Sequence, residues 1–437
     1  MNSHRKQLVA LAHPVYFGLL ASVAAGIINT VWVSRLGGPA VAAVAVATNT
    51  ENVLLGVALV FGSGTTVLVA HARGARDPGG VRAAVRGGVA LWALVTPVVA
   101  VGGFLLREPL ARLVLDGGPA VSLATAYLAI SLPGIAVFFA QQLVDGILKG
   151  AGDTRTPMRL ALLANGLILV CDPFLIQVYG VQGAAASTVL CRGVALGVGL
   201  LALRRNRLLR PCTRTPAGVP VRRTLSTGLP MAVDFTVRQG GALVLVAIVA
   251  RLGVTAVAAY SIAYKVMYVA TMAFYAVRQA ASIHTAHLRG AGQDARRAVG
   301  REAVLVSGVV GLAAAVLLLA TAPWIMAAFG SGPEVAHDGV LFLRCIGPYL
   351  LLTACFIALG GVFEGSGGAP VLLRVTLLGT GVQLALAYGC AGLGLPGVCL
   401  AMASAMALQC GVVLVLFRRA RVGVQEEAGA SWAGASV

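Results

Sequence analysis

Four acids sit where acids are rarely kept. Glu51, Asp145, Asp172 and Asp234 each fall inside a long apolar run. A charged group at the centre of a bilayer costs roughly 2.5–3.5 kcal/mol on insertion scales, so an acid kept there is paired or put to use. Asp172, followed at once by Pro173, is the foremost functional candidate. A carboxyl group in low dielectric resists ionisation, which suits it to taking up and releasing a proton. The structural alternative is an acid paired with Arg192 or capping a broken helix. Glu51 and Asp145 lie nearer the ends of their runs, and their plainer reading is a group reaching the interface or a neighbouring helix. Asp234 and Arg238 are four residues apart, share a helical face and read as an intrahelical ion pair. Asn29, Asn49, Asn165, Gln141, Gln142 and Gln239 add uncharged polarity, while Lys265 and Arg278 either snorkel or line a polar cavity.

Other chemistries find little support. The loop Gly150 to Pro157 looks like a phosphate cradle, but it lacks the Gly-Lys-Ser/Thr ending and a preceding strand. No Ser/His/Asp arrangement or metal constellation stands out. The eight cysteines have no metal spacing and read as small buried hydrophobes. The expectation is a protein that is not an enzyme, has no cofactor and, if it moves anything uphill, draws on an ion gradient.

The elements that must hold these residues are membrane spans. Of 437 residues, 58% are hydrophobic and 11% charged, against about 25% charged in soluble domains, and the mean hydropathy is +0.89. Apolar stretches long enough to cross about 30 Å of hydrocarbon fall near 10–34, 46–70, 84–106, 121–147, 158–179, 183–203, 226–250, 255–284, 302–328, 340–362, 371–389 and 396–417. Helices satisfy their own backbone in lipid, so the expected fold is an all-α membrane protein of twelve transmembrane helices. The net charge of +18 lies in short clusters between spans, which speaks for membrane topology and against nucleic acid. With the N-terminus inside, twenty-four Lys and Arg residues lie on the cytoplasmic side and five on the other. Both termini are therefore expected in the cytoplasm. No removable signal peptide is expected; the first span itself targets the chain.

The chain also repeats itself. Pro14, Arg35-Leu36-Gly37, Ala40 to Ala43 and His71-x-Arg73-Gly74-Ala75 return as Pro230, Arg251-Leu252-Gly253, Ala256 to Ala259 and His287-x-Arg289-Gly290-Ala291, at a constant offset of 216. Gly150-Ala151-Gly152 is echoed by Gly365-Ser366-Gly367 at an offset of 215. Two homologous halves follow: a six-helix lobe over 1–203, a cytoplasmic linker over 204–223, a second six-helix lobe over 224–419 and a disordered tail over 420–437. Six spans per half insert both halves the same way up, so they are related by a pseudo-twofold axis along the membrane normal. His71 and His287, in both copies at a span end, read as loop anchors.

With its duplicated halves, Asn29 to Gly37, Gly146 to Met158 containing Gly150-x-Gly152-Asp153-Thr154-x-x-Pro157, and Asp172-Pro173, the chain resembles the MATE family of multidrug and toxic compound extrusion transporters over residues 8–418. The resemblance implies export of organic, often cationic or amphipathic compounds, driven by inward flow of protons, with sodium as the alternative ion. It also implies a central cavity between two lobes, and a monomer in the inner (plasma) membrane. Asp172 matches the fifth-span aspartate assigned to proton coupling in the DinF-like branch, and Asp234-x-x-x-Arg238 also looks like that branch. Pro14 matches the family's first-span proline, which makes it and its counterpart Pro230 hinge candidates. The departure is Asn29, where the family usually has an aspartate. The companion asparagine one turn before the fifth-span aspartate is Ile168 here, and Asn165 is the partial substitute. Asn29 is expected beside Asp172 in ion coupling, with Asn165, Glu51, Asp145, Gln141, Asp234 and Arg238 as cavity and substrate candidates. The alternatives are a flippase for a lipid-linked glycan and a non-transporting membrane protein.

The charge asymmetry makes a direct prediction. With the native cysteines replaced, Thr154→Cys should be shielded from a membrane-impermeant thiol reagent in intact cells, and Gly332→Cys should be labelled. The reverse pattern would invert the orientation.

Overall fold

A computed structural model describes residues 3–115, 118–205, 221–330 and 332–419. Most of the expected linker, and the whole of the expected tail over 420–437, lie outside the described residues. Those described form thirteen α-helices: α1 Ser3–Ser34, α2 Gly38–Gly74, α3 Pro78–Leu105, α4 Arg107–Val114, α5 Pro119–Gly150, α6 Arg155–Arg205, α7 Val221–Ala250, α8 Val254–Gly290, α9 Arg296–Ala328, α10 Pro333–Cys345, α11 Gly347–Gly365, α12 Ala369–Gly389 and α13 Gly394–Arg419. A short 3-10 turn, Ala391–Leu393, precedes α13.

Eleven of the described helices are long and apolar enough to cross a membrane. One of them, α6, has 51 residues, which at about 1.5 Å per residue is far longer than one bilayer crossing needs. Gly180, at φ 58° and ψ −134°, breaks it, a conformation open to glycine because it has no Cβ. The limbs on either side, 155–179 and 181–205, correspond to the two spans expected at 158–179 and 183–203, so the described residues hold twelve segments long and apolar enough to cross a membrane. The span expected at 340–362 needs correcting: the helix is interrupted at Ile346, between α10 and α11. Pro348 cannot donate to the carbonyl four residues back, which weakens the turn there.

Lipid explains the outer faces. Along α3, Leu94, Val98, Val101 and Leu105 are 59 to 70% exposed. Their spacing is one helical stripe, which water would penalise and hydrocarbon does not.

The two copies of the sequence repeat build the same backbone landmarks. Gly37 and Gly253 have φ of 97° and 113°, Arg76 and Gly292 53° and 75°, Gly152 and Gly367 81° and 84°. In the first copy α2 and α5 cross so closely that a Cβ on Gly146 would run into the carbonyl of Gly62, and one on Gly150 into the carbonyl of Thr66. In the second copy Gly361 meets the carbonyl of Arg278, and Gly365 that of Ser282. Each pair lies 216 residues on for α8 and 215 for α11. Small residues that let backbones touch are how helices pack where no hydrophobic driving force separates them from lipid.

The described residues divide into two compact units. One comprises the described residues among 1–236, 275–296 and 361–370; the other those among 237–274, 297–360 and 371–419. The first unit is filled by Phe61 and Phe139, edge to face at 5.4 Å, with Leu68, Leu143, Leu148 and Leu160 around them. The second contains Tyr260, 1% exposed, edge-on to Phe342 at 5.3 Å. Overpacking a closed contact costs about 1–3 kcal/mol. Gly361→Ala should therefore lower the melting temperature of the purified protein, while Gly166→Ala, with open space around its Cα, should leave it unchanged or raise it slightly.

Candidate functional site

α1 and the first limb of α6 run side by side, tied at two levels one heptad apart. Asn165 Nδ2 donates to Ser22 Oγ at 3.3 Å. Seven residues on along both helices, Asn29 Nδ2 donates to Asp172 Oδ2 at 2.8 Å. A seven-residue step returns to the same helical face, so the two contacts set one register. Asn165 is therefore a partner of Ser22, and it does not replace the companion asparagine at Ile168.

Asp172 is 1% exposed. Its Oδ1 is buried and has no hydrogen-bond partner among the described residues. Ser187, fully buried on the second limb of α6, lies against the same carboxylate but outside hydrogen-bond geometry. The helix runs unbroken through Asp172 and Pro173 and breaks only at Gly180, so Asp172 caps no helix end. Arg192 is also taken elsewhere: its Nη1 is 3.6 Å from Glu51 Oε2, and its guanidinium lies 4.9 Å from the centroid of the Phe138 ring. Tyr127, buried on α5, stands within electrostatic reach of Glu51, Arg192 and Asp172. Gln141 is buried, and Asp145 keeps one buried carboxylate oxygen without a hydrogen-bond partner, one turn from Lys149. Pro14 and Pro230 both lie inside their helices.

The acids of the second copy also reach across helices. Asp234 on α7 pairs across helices: Arg278 Nη2 on α8 donates to its Oδ2 at 2.7 Å. The same guanidinium holds Glu364 on α11, with Nε to Oε1 at 3.0 Å and Nη2 to Oε1 at 2.5 Å. All three side chains are buried, so Arg278 neither snorkels nor faces open solvent. Arg238 belongs to the second unit, 6.0 Å from the Phe356 ring. Glu364 was missed by sequence reasoning, though the repeat carries a signal for it. At the matching places in the first copy stand Gly18, Gly62 and Lys149, so this acid–arginine–acid triad is private to the second. Among the described residues, no three His, Cys, Asp or Glu side chains come together in a way that could hold a metal ion.

The MatE family model matches residues 14–174 and again 230–389, so both halves carry the family pattern, starting at Pro14 and at Pro230. The chain is 25% identical over 378 residues to the probable multidrug resistance protein YpnP of Bacillus subtilis (strain 168), covering 85% of each. It is 27% identical over 387 residues to the DNA damage-inducible protein F of Escherichia coli (strain K12), covering 84% of this chain and 82% of that one. A solved structure of an outward-facing multidrug resistance MATE family transporter of the MOP superfamily has the same fold, with a TM-score of 0.89 at 23% identity over 95% of this chain and 96% of that one.

Removing one partner from a buried charge cluster costs about 3–5 kcal/mol, because the others are left uncompensated. Arg278→Met should lower the unfolding transition in detergent by that order. Lys265→Met, at an exposed position of the same helix, should stay within about 0.5 kcal/mol of the parent.

Proposed function

Because this chain belongs to the MatE family, and so is a membrane transport protein and not an enzyme, we propose that it is a proton-coupled antiporter of the DinF-like branch. It exports organic, cationic or amphipathic compounds by alternating access. The observation that carries the coupling is the state of Asp172: sealed from solvent, held on one oxygen by Asn29 and unsatisfied on the other. An ionised carboxylate in such a place has little to stabilise it, and a proton on Oδ1 would remove the charge. Asn29 cannot titrate; it fixes the carboxylate through its amide and leaves a single acid to carry the proton. The likeness to DNA damage-inducible protein F and the Asp234-x-x-x-Arg238 pattern support the branch.

In this reading residues 1–203 and 224–419 form two lobes that rock about a site near the midplane. Pro14 and Pro230, which lack the N–H of an ordinary helical residue, are their hinge candidates. Protonation of Asp172 biases one state and substrate the other. The Lys and Arg distribution supports a plasma-membrane orientation with both termini in the cytoplasm, and the transporter works as a monomer. Gln141, Asp145 and Asn165 line the polar route of the first lobe, Asp234 and Arg238 that of the second.

In proteoliposomes, Asp172→Asn should abolish efflux of a fluorescent cation such as ethidium driven by a pH gradient, while folding is kept. Asn29→Asp should add a second titrating group and change the pH dependence of transport. Asn29→Ala should be milder than Asp172→Asn. Full gradient-driven flux through folded Asp172→Asn would sink the assignment, and flux that follows an imposed sodium gradient at constant pH would replace the proton by sodium.

A further inference from the structure

Glu51 and Arg192 form an ion pair of an unusual kind for membrane depth. Their charged atoms are 3.6 Å apart, beyond good hydrogen-bond reach. The side chains are 23% and 29% exposed respectively, whereas Asp172 is closed off. Charged groups within spans face the protein interior or a water-filled cavity, because hydrocarbon does not tolerate them. The open side of this pair therefore faces water. Arg192 has a second attachment, the face of Phe138 at 4.9 Å, an arrangement that attracts a cation in its own right. Among the described residues Arg192 is the cation paired with Glu51. The pair is loose and wet, and its cation has somewhere else to rest.

We propose that Glu51 is the carboxylate that receives the positive group of a cationic substrate, and that Arg192 is its resident competitor. An arriving cation takes the place of the guanidinium at Glu51, and Arg192 stays on Phe138. The exchange replaces one positive charge by another, so the site never holds a bare carboxylate. Neutral and anionic molecules have nothing to offer Glu51 in return for displacing Arg192, which makes the pair a filter for charge. The inference rests on the reading of the chain as an exporter and names the chemistry of its substrate subsite.

The test is equilibrium binding of two ions of the same shape and opposite charge, tetraphenylphosphonium and tetraphenylborate, to the full-length protein in nanodiscs without any gradient. Wild type should prefer the cation. Glu51→Gln should weaken the cation about tenfold, and Arg192→Gln should strengthen it about tenfold, a change of one decade in dissociation constant each. The double variant should bind like Glu51→Gln, because a competitor has no effect once the group it competes for is gone. Arg192→Lys keeps the competing charge and should stay near wild type, which covers the case in which Arg192→Gln does not fold. The proposal is overturned if Arg192→Gln leaves the cation unchanged or weakens it, if its gain persists without Glu51, or if wild type does not distinguish the two ions. In the Asp172→Asn background Glu51→Gln should still weaken the cation and Arg192→Gln should still strengthen it. A failure of the coupling reading therefore appears in gradient-driven flux, and a failure of this one in binding alone.

Discussion

Backbone touching backbone is the contact on which the described structure turns. At Gly146 on Gly62 and Gly361 on Arg278 there is no room for a Cβ between one helix and the carbonyl of another. Lipid supplies no hydrophobic push to bring helices together, so approach this close has to come from residues that stay out of the way. The second of these contacts also has an electrostatic result. Gly361 pins the backbone of Arg278, and from that fixed point the guanidinium reaches Asp234 on α7 and Glu364 on α11. Three helices are thereby held by one side chain, and an error in the crossing would leave buried charges apart.

The repeat shows one frame carrying two different fillings. In the first copy the crossing is occupied by glycines, and the chemistry lies elsewhere, at Asn29, Asp172, Glu51 and Arg192. In the second copy the positions of Gly18, Gly62 and Lys149 have become Asp234, Arg278 and Glu364. The landmarks that need a particular backbone, such as Gly37 with Gly253 and Gly152 with Gly367, were kept in both. What changed between the copies is side-chain charge at three places on the same backbone frame.

The span positions were legible because twenty apolar residues in a row have few other uses. The break at Gly180 was legible as a gap between two spans, although only three residues separate them in the sequence. The interruption at Ile346 was not, since Pro133 sits in α5 at the place matching Pro348 without breaking its helix; a proline announces a missing hydrogen bond but not how the chain responds. Asp172 stood out because burial of an acid is costly wherever it occurs. Its neighbours were harder. The alternative that paired Asp172 with Arg192 fails because Arg192 faces Glu51; spacing along one helix says nothing about which residue of another helix lies opposite. Glu364 escaped notice at the edge of a glycine motif, where a charge looks like an ordinary span end.

The meeting of the two His-x-Arg-Gly-Ala segments has a further meaning. Gly74 lies on the carbonyl of His287, and Gly290 lies on the carbonyl of His71; residue for residue, each side does to the other what is done to it. That is the signature of an isologous contact, the kind made by two identical chains about a twofold axis. A half-length chain with this segment would have carried both the knob and the socket of its own dimer. Joined end to end, two such chains would hold the same contact within one polypeptide, where each copy can carry charges its twin does not share.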